Sequence, residues 1–111
     1  MTWLATYSGA EFSLIDPQPD QVRIGDIAHS LSQLCRFVGA TRSFYSVAQH
    51  CVLVSDHCPP EYAFAGLMHD AAEAYCLDMP RPLKYLPAWR RTARLRTGFT
   101  ALCVPASAFP R

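Results

Sequence analysis

Hydrophobic residues recur at intervals of three and four through two stretches of the chain, a spacing that places them on one face of a helix. These apolar positions are Ile27, Leu31 and Leu34 in the first stretch and Val47, Cys51 and Val54 in the second. Asp26 and Ser46 precede them and can serve as N-cap residues. The pattern therefore predicts helices over residues 27–35 and 47–56.

A third stretch, residues 60–75, is rich in Ala, Leu, Met and Glu, which have high helix propensity. Pro60 suits a first helical turn, and Glu61 complements the positive end of the helix dipole. We predict a single helix here. Pro80 and Pro82 follow closely, so we expect residues 77–82 to be non-helical.

The remaining stretches carry weaker patterns. Residues 1–25 contain turn-forming Gly, Pro and Asp, which predicts a loop-rich lead-in, at most with a small hairpin. Residues 90–96 can form a helix, whereas residues 104–111 look irregular. Together these elements predict an all-α fold, a compact helical bundle in one domain of 111 residues.

The net charge of +1 conceals a division along the chain. Residues 1–78 carry 3 − 9 = −6, while residues 79–111 carry seven basic residues and no acidic one, hence +7. A basic tail can bind nucleic acid, but this one lacks interleaved aromatic residues and any known nucleic-acid motif. We expect a solvated basic helix that does not bind nucleic acid; a basic interaction module stays open as an alternative.

The five cysteines form no Cys-x-x-Cys pair, and their odd number argues against a disulfide framework. We expect reduced thiols in the core. The sequence also contains no apolar run of the roughly 18 residues that a membrane span requires, and its start does not resemble a secretory signal. These features predict a cytoplasmic protein with no membrane partner.

Candidate metal-ligating and catalytic side chains lie in the predicted third helix, where His69 and Asp70 are adjacent and Glu73 follows by about one turn. All three side chains lie on neighbouring parts of one face, so an imidazole and a carboxylate can converge on a divalent cation. His50 on the preceding helix can face His69 if the two helices pack as neighbours. His29 and His57 lie off these positions, and we expect surface or local hydrogen-bonding roles for them.

Two further residues suggest recognition of an anion. Arg36 follows the predicted first helix, and its planar guanidinium has the geometry to hold a phosphate at two points. Phe37 beside it offers a ring face for a sugar or base. On the residues alone, a surface arginine beside a core phenylalanine is the preferred explanation of the pair.

Four pieces of the chain, in this order and spacing, resemble the HD-domain metal-dependent phosphohydrolases. The pieces are Arg36-Phe37, residues 45–50 with His50 at their end, residues 69–73, and residues 78–84. The likeness is to the small branch of bacterial 5′-deoxynucleotidases and phage deoxynucleotide phosphohydrolases, and it spans residues 26–84. Residues 85–111 are divergent and basic.

The resemblance implies a nucleotidase-type phosphohydrolase whose substrate is a small nucleotide of the deoxynucleoside phosphate class. It implies a divalent cation (Co, Mn, Mg or Zn) held by His50, His69 and Asp70, which activates water for attack on phosphorus. Its implied catalytic residues are Glu73, which handles the water, and Asp78, which positions substrate. Its implied substrate-binding residues are Arg36, Phe37 and Lys84.

One feature departs from this family. The resemblance implies a fourth metal ligand, an Asp from a later helix, yet the sequence has no Asp or Glu after Asp78. The chain is then a truncated or frame-shifted relative, a fragment, or a variant with three protein ligands. We therefore expect weak activity, and a catalytically impaired metal- or nucleotide-binding protein is the alternative. Assembly into a homo-oligomer stays open.

Overall fold

The computed structural model describes residues 2–103. Its elements are the strands β1 (Trp3–Ala5) and β2 (Glu11–Ser13) and the helices α1 (Ile24–Gln33), α2 (Val47–His57), α3 (Ala63–Met68), α4 (Glu73–Cys76), α5 (Arg81–Lys84) and α6 (Arg90–Cys103). Helical segments, 3-10 turns included, make up 59% of the described residues. The fold is therefore mostly helical, as predicted, but the two-stranded sheet means that it is not purely all-α.

The sheet is an antiparallel hairpin at the N-terminus, in which Leu4 pairs with Phe12. Gly9 in the connection has a φ of +85°, a conformation that glycine adopts without steric cost. Phe12 is fully buried, and its ring stacks on Tyr75 at 3.9 Å between centroids. The lead-in is thus a hairpin that contributes to the core.

Helix α1 begins earlier than predicted, because Asp26 lies within its first turn and does not serve as the N-cap. The Asp26 carboxylate is 1% exposed and accepts hydrogen bonds from the backbone N–H and the hydroxyl of Ser8, at 2.7 and 2.8 Å. These bonds lower the pKa of Asp26 against the opposing effect of burial. A contact with the hairpin therefore replaces the predicted cap.

Helix α2 follows the prediction closely. The hydroxyl of Ser46 accepts a hydrogen bond from the backbone N–H of Gln49 at 3.0 Å, which satisfies one free donor of the first turn. Val47 and Cys51 are buried on the predicted apolar face. The cap and this face together fix the orientation of the helix that carries His50.

The single helix predicted over residues 60–75 is wrong. A 3-10 turn at Pro60–Tyr62 leads into α3, which ends at Met68, and α4 begins only at Glu73. Between them the backbone bonds connect residues three apart, as from the Glu73 N–H to the Asp70 carbonyl at 2.9 Å. The His69 side chain explains part of this, because its Nδ1 lies 2.6 Å from the Gly66 carbonyl and competes for that acceptor.

The chain leaves α4 as predicted, since Leu77 adopts a φ of +67° and residues 77–80 have no helical structure. The prediction that residues 81–82 are also non-helical is wrong. Arg81 and Pro82 form the first turn of α5, a position that tolerates proline because the missing N–H would have no intrahelical partner there.

Helix α6 is longer than the predicted residues 90–96, and it is not simply a solvated helix. Phe99 and Cys103 are buried on its inner side. The residues of the shared core are Phe12, Ile27, Leu31, Val47, Cys51, Met68, Ala71, Ala72, Tyr75, Phe99 and Cys103. The predicted irregular end, residues 104–111, lies outside the described residues.

All five cysteines are free, and Cys51 and Cys103 are buried. Burial raises the pKa of both Cys76 and Cys103 to about 11, so both are protonated thiols at neutral pH. The helices within residues 2–103 are all too short or too polar to cross a bilayer.

Gly66 gives a test of how closely α2 and α3 pack. A Cβ at this position would lie 2.7 Å from Cys58 Sγ and 3.4 Å from Ser55 Cα, whereas a Cβ at Gly98 in α6 would meet nothing within 4 Å. We expect Gly66→Ala to lower the free energy of unfolding by about 1–3 kcal/mol through overpacking. Gly98→Ala is the matched control and should raise it by about 0.5–1 kcal/mol. Urea unfolding measures both; equal effects would contradict the close packing.

Candidate metal centre

Three predicted ligands converge at the interface between α2 and the turn that follows α3. His50 Nε2 lies 3.2 Å from His69 Nε2 and 3.3 Å from Asp70 Oδ2, and His69 Nε2 lies 3.0 Å from Asp70 Oδ2. Asp70 is 6% exposed. Helix packing thus brings together the three residues that the sequence predicted, from two separate elements.

The spacing of these atoms fits a divalent cation. Bonds from zinc to imidazole nitrogen are about 2.0–2.1 Å, so two ligand atoms lie about 3.0 Å apart at a right angle and about 3.3 Å apart at a tetrahedral angle. The three separations among His50, His69 and Asp70 fall in this range. His50, His69 and Asp70 form the group within residues 2–103 that could hold a metal ion.

The ring of His69 is oriented by its other nitrogen. Nδ1 lies 2.6 Å from the Gly66 carbonyl oxygen, which can only accept, so Nδ1 carries a proton. In the neutral ring, Nε2 then presents its lone pair toward His50 and Asp70. Lone pairs that meet at such distances repel unless a proton or a metal ion lies between them.

A proton on His69 Nε2 can fill this role. The hydrogen bond to Asp70 is the largest of the effects that raise the pKa of His69 to about 10. Burial and the nearby charge of Arg36 instead lower the pKa of His50. The pKa of Asp70 is lowered, because hydrogen bonding and positive charge from its neighbours outweigh the effect of burial.

Glu73 lies beside this group and is 1% exposed. Residues three apart eclipse one another in a 3-10 segment, so the tightened turn aligns Glu73 with Asp70. Burial, followed by the negative charges of Asp70 and Asp78, raises the pKa of Glu73 to about 7. A carboxyl with this pKa can both accept and donate a proton near neutral pH.

Arg96 is a site residue that the sequence reasoning missed. Its Nη2 lies 2.7 Å from Asp70 Oδ1 and 3.1 Å from Glu73 Oε1. A signal was present, because Arg96 precedes the buried Phe99 by three residues and therefore lies on a neighbouring part of the inner face of α6.

A cavity of about 450 Å³ opens beside the carboxylates. Its charged lining residues are Arg36, Arg81, Lys84 and Arg96, together with Asp70, Glu73 and Asp78. Phe37 also lines it, whereas the two imidazoles do not. The predicted substrate-binding residues thus share one cavity, which reaches the metal-ligand group through Asp70.

Arg36 and Asp78 form an ion pair in the lining of this cavity. Arg36 Nη1 lies 3.3 Å from Asp78 Oδ2, and its guanidinium carbon lies 4.7 Å from the centre of the Phe37 ring. Phe37 is 57% exposed. The ring is therefore available as a surface, and the alternative of a core phenylalanine does not apply.

The backbone is strained at Phe37 and Val38, which line the cavity. Phe37 and the adjacent Val38 both have a φ of +55°, which is costly for a bulky or β-branched side chain. Such conformations cost about 1–3 kcal/mol each and cluster at functional sites. The strain places two exposed apolar side chains at the rim of the cavity.

The two other histidines lie away from the site. His29 stacks on Tyr7, with ring centroids 3.7 Å apart. His57 is exposed, and its Nδ1 lies 2.7 Å from the Leu53 carbonyl. Neither belongs to the group that could hold a metal ion.

No known family model matches the chain. The chain is 52% identical over 92 residues to the uncharacterized protein YfdR of Escherichia coli (strain K12), a match that covers 82% of this chain and 52% of that protein. It is 37% identical over 91 residues to an uncharacterized protein of Rhodobacter capsulatus, covering 74% of this chain and 46% of that protein. The chain thus spans about half the length of these relatives.

The opposite pKa shifts of the His50 and His69 imidazoles can be measured in protein treated with a chelator. We expect His69 to remain protonated until the pH approaches about 10, while His50 titrates below 6.5. Asp70→Asn should move the titration of His69 back toward its ordinary value, because it removes the carboxylate. Histidine ring NMR signals followed against pH measure each step; equal midpoints for the two rings would contradict this geometry.

The raised pKa of His69 also makes the stability of the fold depend on pH. The folded pKa of His69 lies above the ordinary value of 6.5, so its stabilising contribution is complete below pH 6.5 and is lost as the pH rises through about 10. In chelator, the melting temperature should therefore fall over this window. His69→Gln should reduce that fall, and His57→Gln, at an exposed site, should leave it intact.

Proposed function

We propose that this chain forms the metal site of an HD-type phosphohydrolase that acts on nucleotides, with deoxynucleoside phosphates as the substrate class. The observation that carries the proposal is the convergence of His50, His69 and Asp70 at separations suited to one divalent cation. Glu73 beside them, and the basic cavity beyond, supply what a reaction at phosphorus needs in addition.

The cavity suits a phosphorylated ligand. Arg36 and Lys84 offer positive charge for phosphoryl oxygens, and the exposed ring of Phe37 offers a face for the nucleoside. Within residues 2–103, the buried Nε atoms of Arg36 and Arg96 have no hydrogen-bond partner. Buried donors of this kind are uncommon, and an anion in the cavity would satisfy them.

A bound divalent ion would supply Lewis-acid chemistry, polarising a phosphoryl oxygen and acidifying water. Glu73 would orient the attacking water and accept its proton. Its Oε1 contacts Arg96, but its buried Oε2 has no hydrogen-bond partner within residues 2–103. Asp78 would keep Arg36 in place for the phosphate through their ion pair.

The second candidate function is a metal or nucleotide binder with impaired catalysis. The contacts of Arg96 favour it, because this guanidinium occupies one oxygen of Asp70 and one of Glu73. This candidate predicts ligand binding without turnover.

Metal binding tests the ligand set directly. We expect Mn²⁺ or Co²⁺ to bind the chelator-stripped protein with a stoichiometry of one, and His69→Ala to abolish binding because it removes a central ligand. His57→Ala is the matched control, since His57 is exposed and outside the group. Isothermal titration calorimetry measures both; wild-type affinity in His69→Ala would remove the proposed site.

Activity tests the role of Glu73. Phosphate release from a panel of deoxynucleoside phosphates should be slow, should require added Mn²⁺ or Co²⁺, and should fall in Glu73→Gln by on the order of 10²-fold or more. Metal affinity should be largely retained, because Glu73 is assigned to water and not to the ion. Binding of nucleotide with no metal-dependent release would favour the second candidate function instead.

A further inference from the structure

The carboxylate of Asp70 is shared between two kinds of partner. Its Oδ2 faces the imidazoles of His50 and His69, while its Oδ1 lies 2.7 Å from Nη2 of Arg96. The same nitrogen of Arg96 reaches Oε1 of Glu73 at 3.1 Å. One guanidinium nitrogen thus bridges a proposed metal ligand and the proposed catalytic carboxylate.

Burial makes this bridge important. Asp70 and Glu73 are 6% and 1% exposed, and two buried carboxylates side by side require positive charge. Arg96 supplies it from α6, a helix that lies outside the stretch resembling the HD family.

A divalent cation would meet a carboxylate whose charge Arg96 already balances in part. It would also lie near a fixed positive charge, and such repulsion is stronger where burial lowers the dielectric. We propose that Arg96 competes with the metal ion for the negative charge of Asp70 and Glu73, stabilising the metal-free fold and weakening metal binding. This inference rests on the proposed metal site.

Arg96 also contacts Asp70 and helps to orient it, an effect that would strengthen metal binding. The two effects differ in sign. The Asp70 Oδ2 atom is also positioned by His69, whose ring is fixed by the Gly66 carbonyl. Orientation therefore does not depend on Arg96 alone, and we expect the repulsion to dominate.

The test compares Arg96→Met with Arg94→Met, which removes an exposed arginine from the same helix. In Arg96→Met, calorimetry should show Mn²⁺ affinity raised about tenfold or more, because the competing charge is gone. Its melting temperature in chelator should fall, and the rise on adding Mn²⁺ should exceed that of the wild type. Arg94→Met should match the wild type in all three measurements.

Two further variants keep the test decisive if Arg96→Met does not fold. Arg96→Lys retains the charge and should keep near-wild-type Mn²⁺ affinity, whereas Arg96→Gln removes the charge and should bind more tightly. Neutral variants that bind Mn²⁺ no more tightly than the wild type would overturn the inference while leaving the metal site intact. If His69→Ala also binds as the wild type does, the metal site itself is wrong, and the inference falls with it.

Discussion

The site depends on how one buried carboxylate, that of Asp70, satisfies both of its oxygens. A buried charge is tolerated only when it is paired, and here the partners come from opposite directions. The imidazoles of His50 and His69 lie on one side, and the guanidinium of Arg96 lies on the other. This arrangement connects α2, the turn after α3, and α6.

Contacts in the surrounding structure position the side chains around Asp70. The Ser46 cap fixes the start of the helix that presents His50, and Gly66 allows that helix to approach α3 closely. The Gly66 carbonyl then orients His69. The tightened turn brings Glu73 into line with Asp70, which an unbroken α-helix would offset by about 60° around its axis. The interruption of the helix is therefore part of the site's geometry.

The sequence predicted those features that depend on local pattern. Periodicity and a capping residue located α2, and a short connection indicated that His50 and His69 would meet. The missed features depend on distant contacts. Asp26 has the sequence context of an N-cap, but its bonds to Ser8 in the hairpin override that local preference. The role of Arg96 likewise required knowing where α6 packs, which periodicity alone does not give.

The N-terminal hairpin has a consequence for how the chain can be divided. Phe12 stacks on Tyr75, which lies two residues after Glu73. Phe12 also makes an edge-to-face contact with Phe99, with ring centroids 5.1 Å apart. Phe99 lies three residues after Arg96. The Phe12 ring thus contacts both α4, which carries Glu73, and α6, which carries Arg96. The lead-in, the stretch with the candidate metal ligands and the basic helix therefore share one hydrophobic core, and an excised middle portion would lose the aromatic contacts of Phe12 and Phe99.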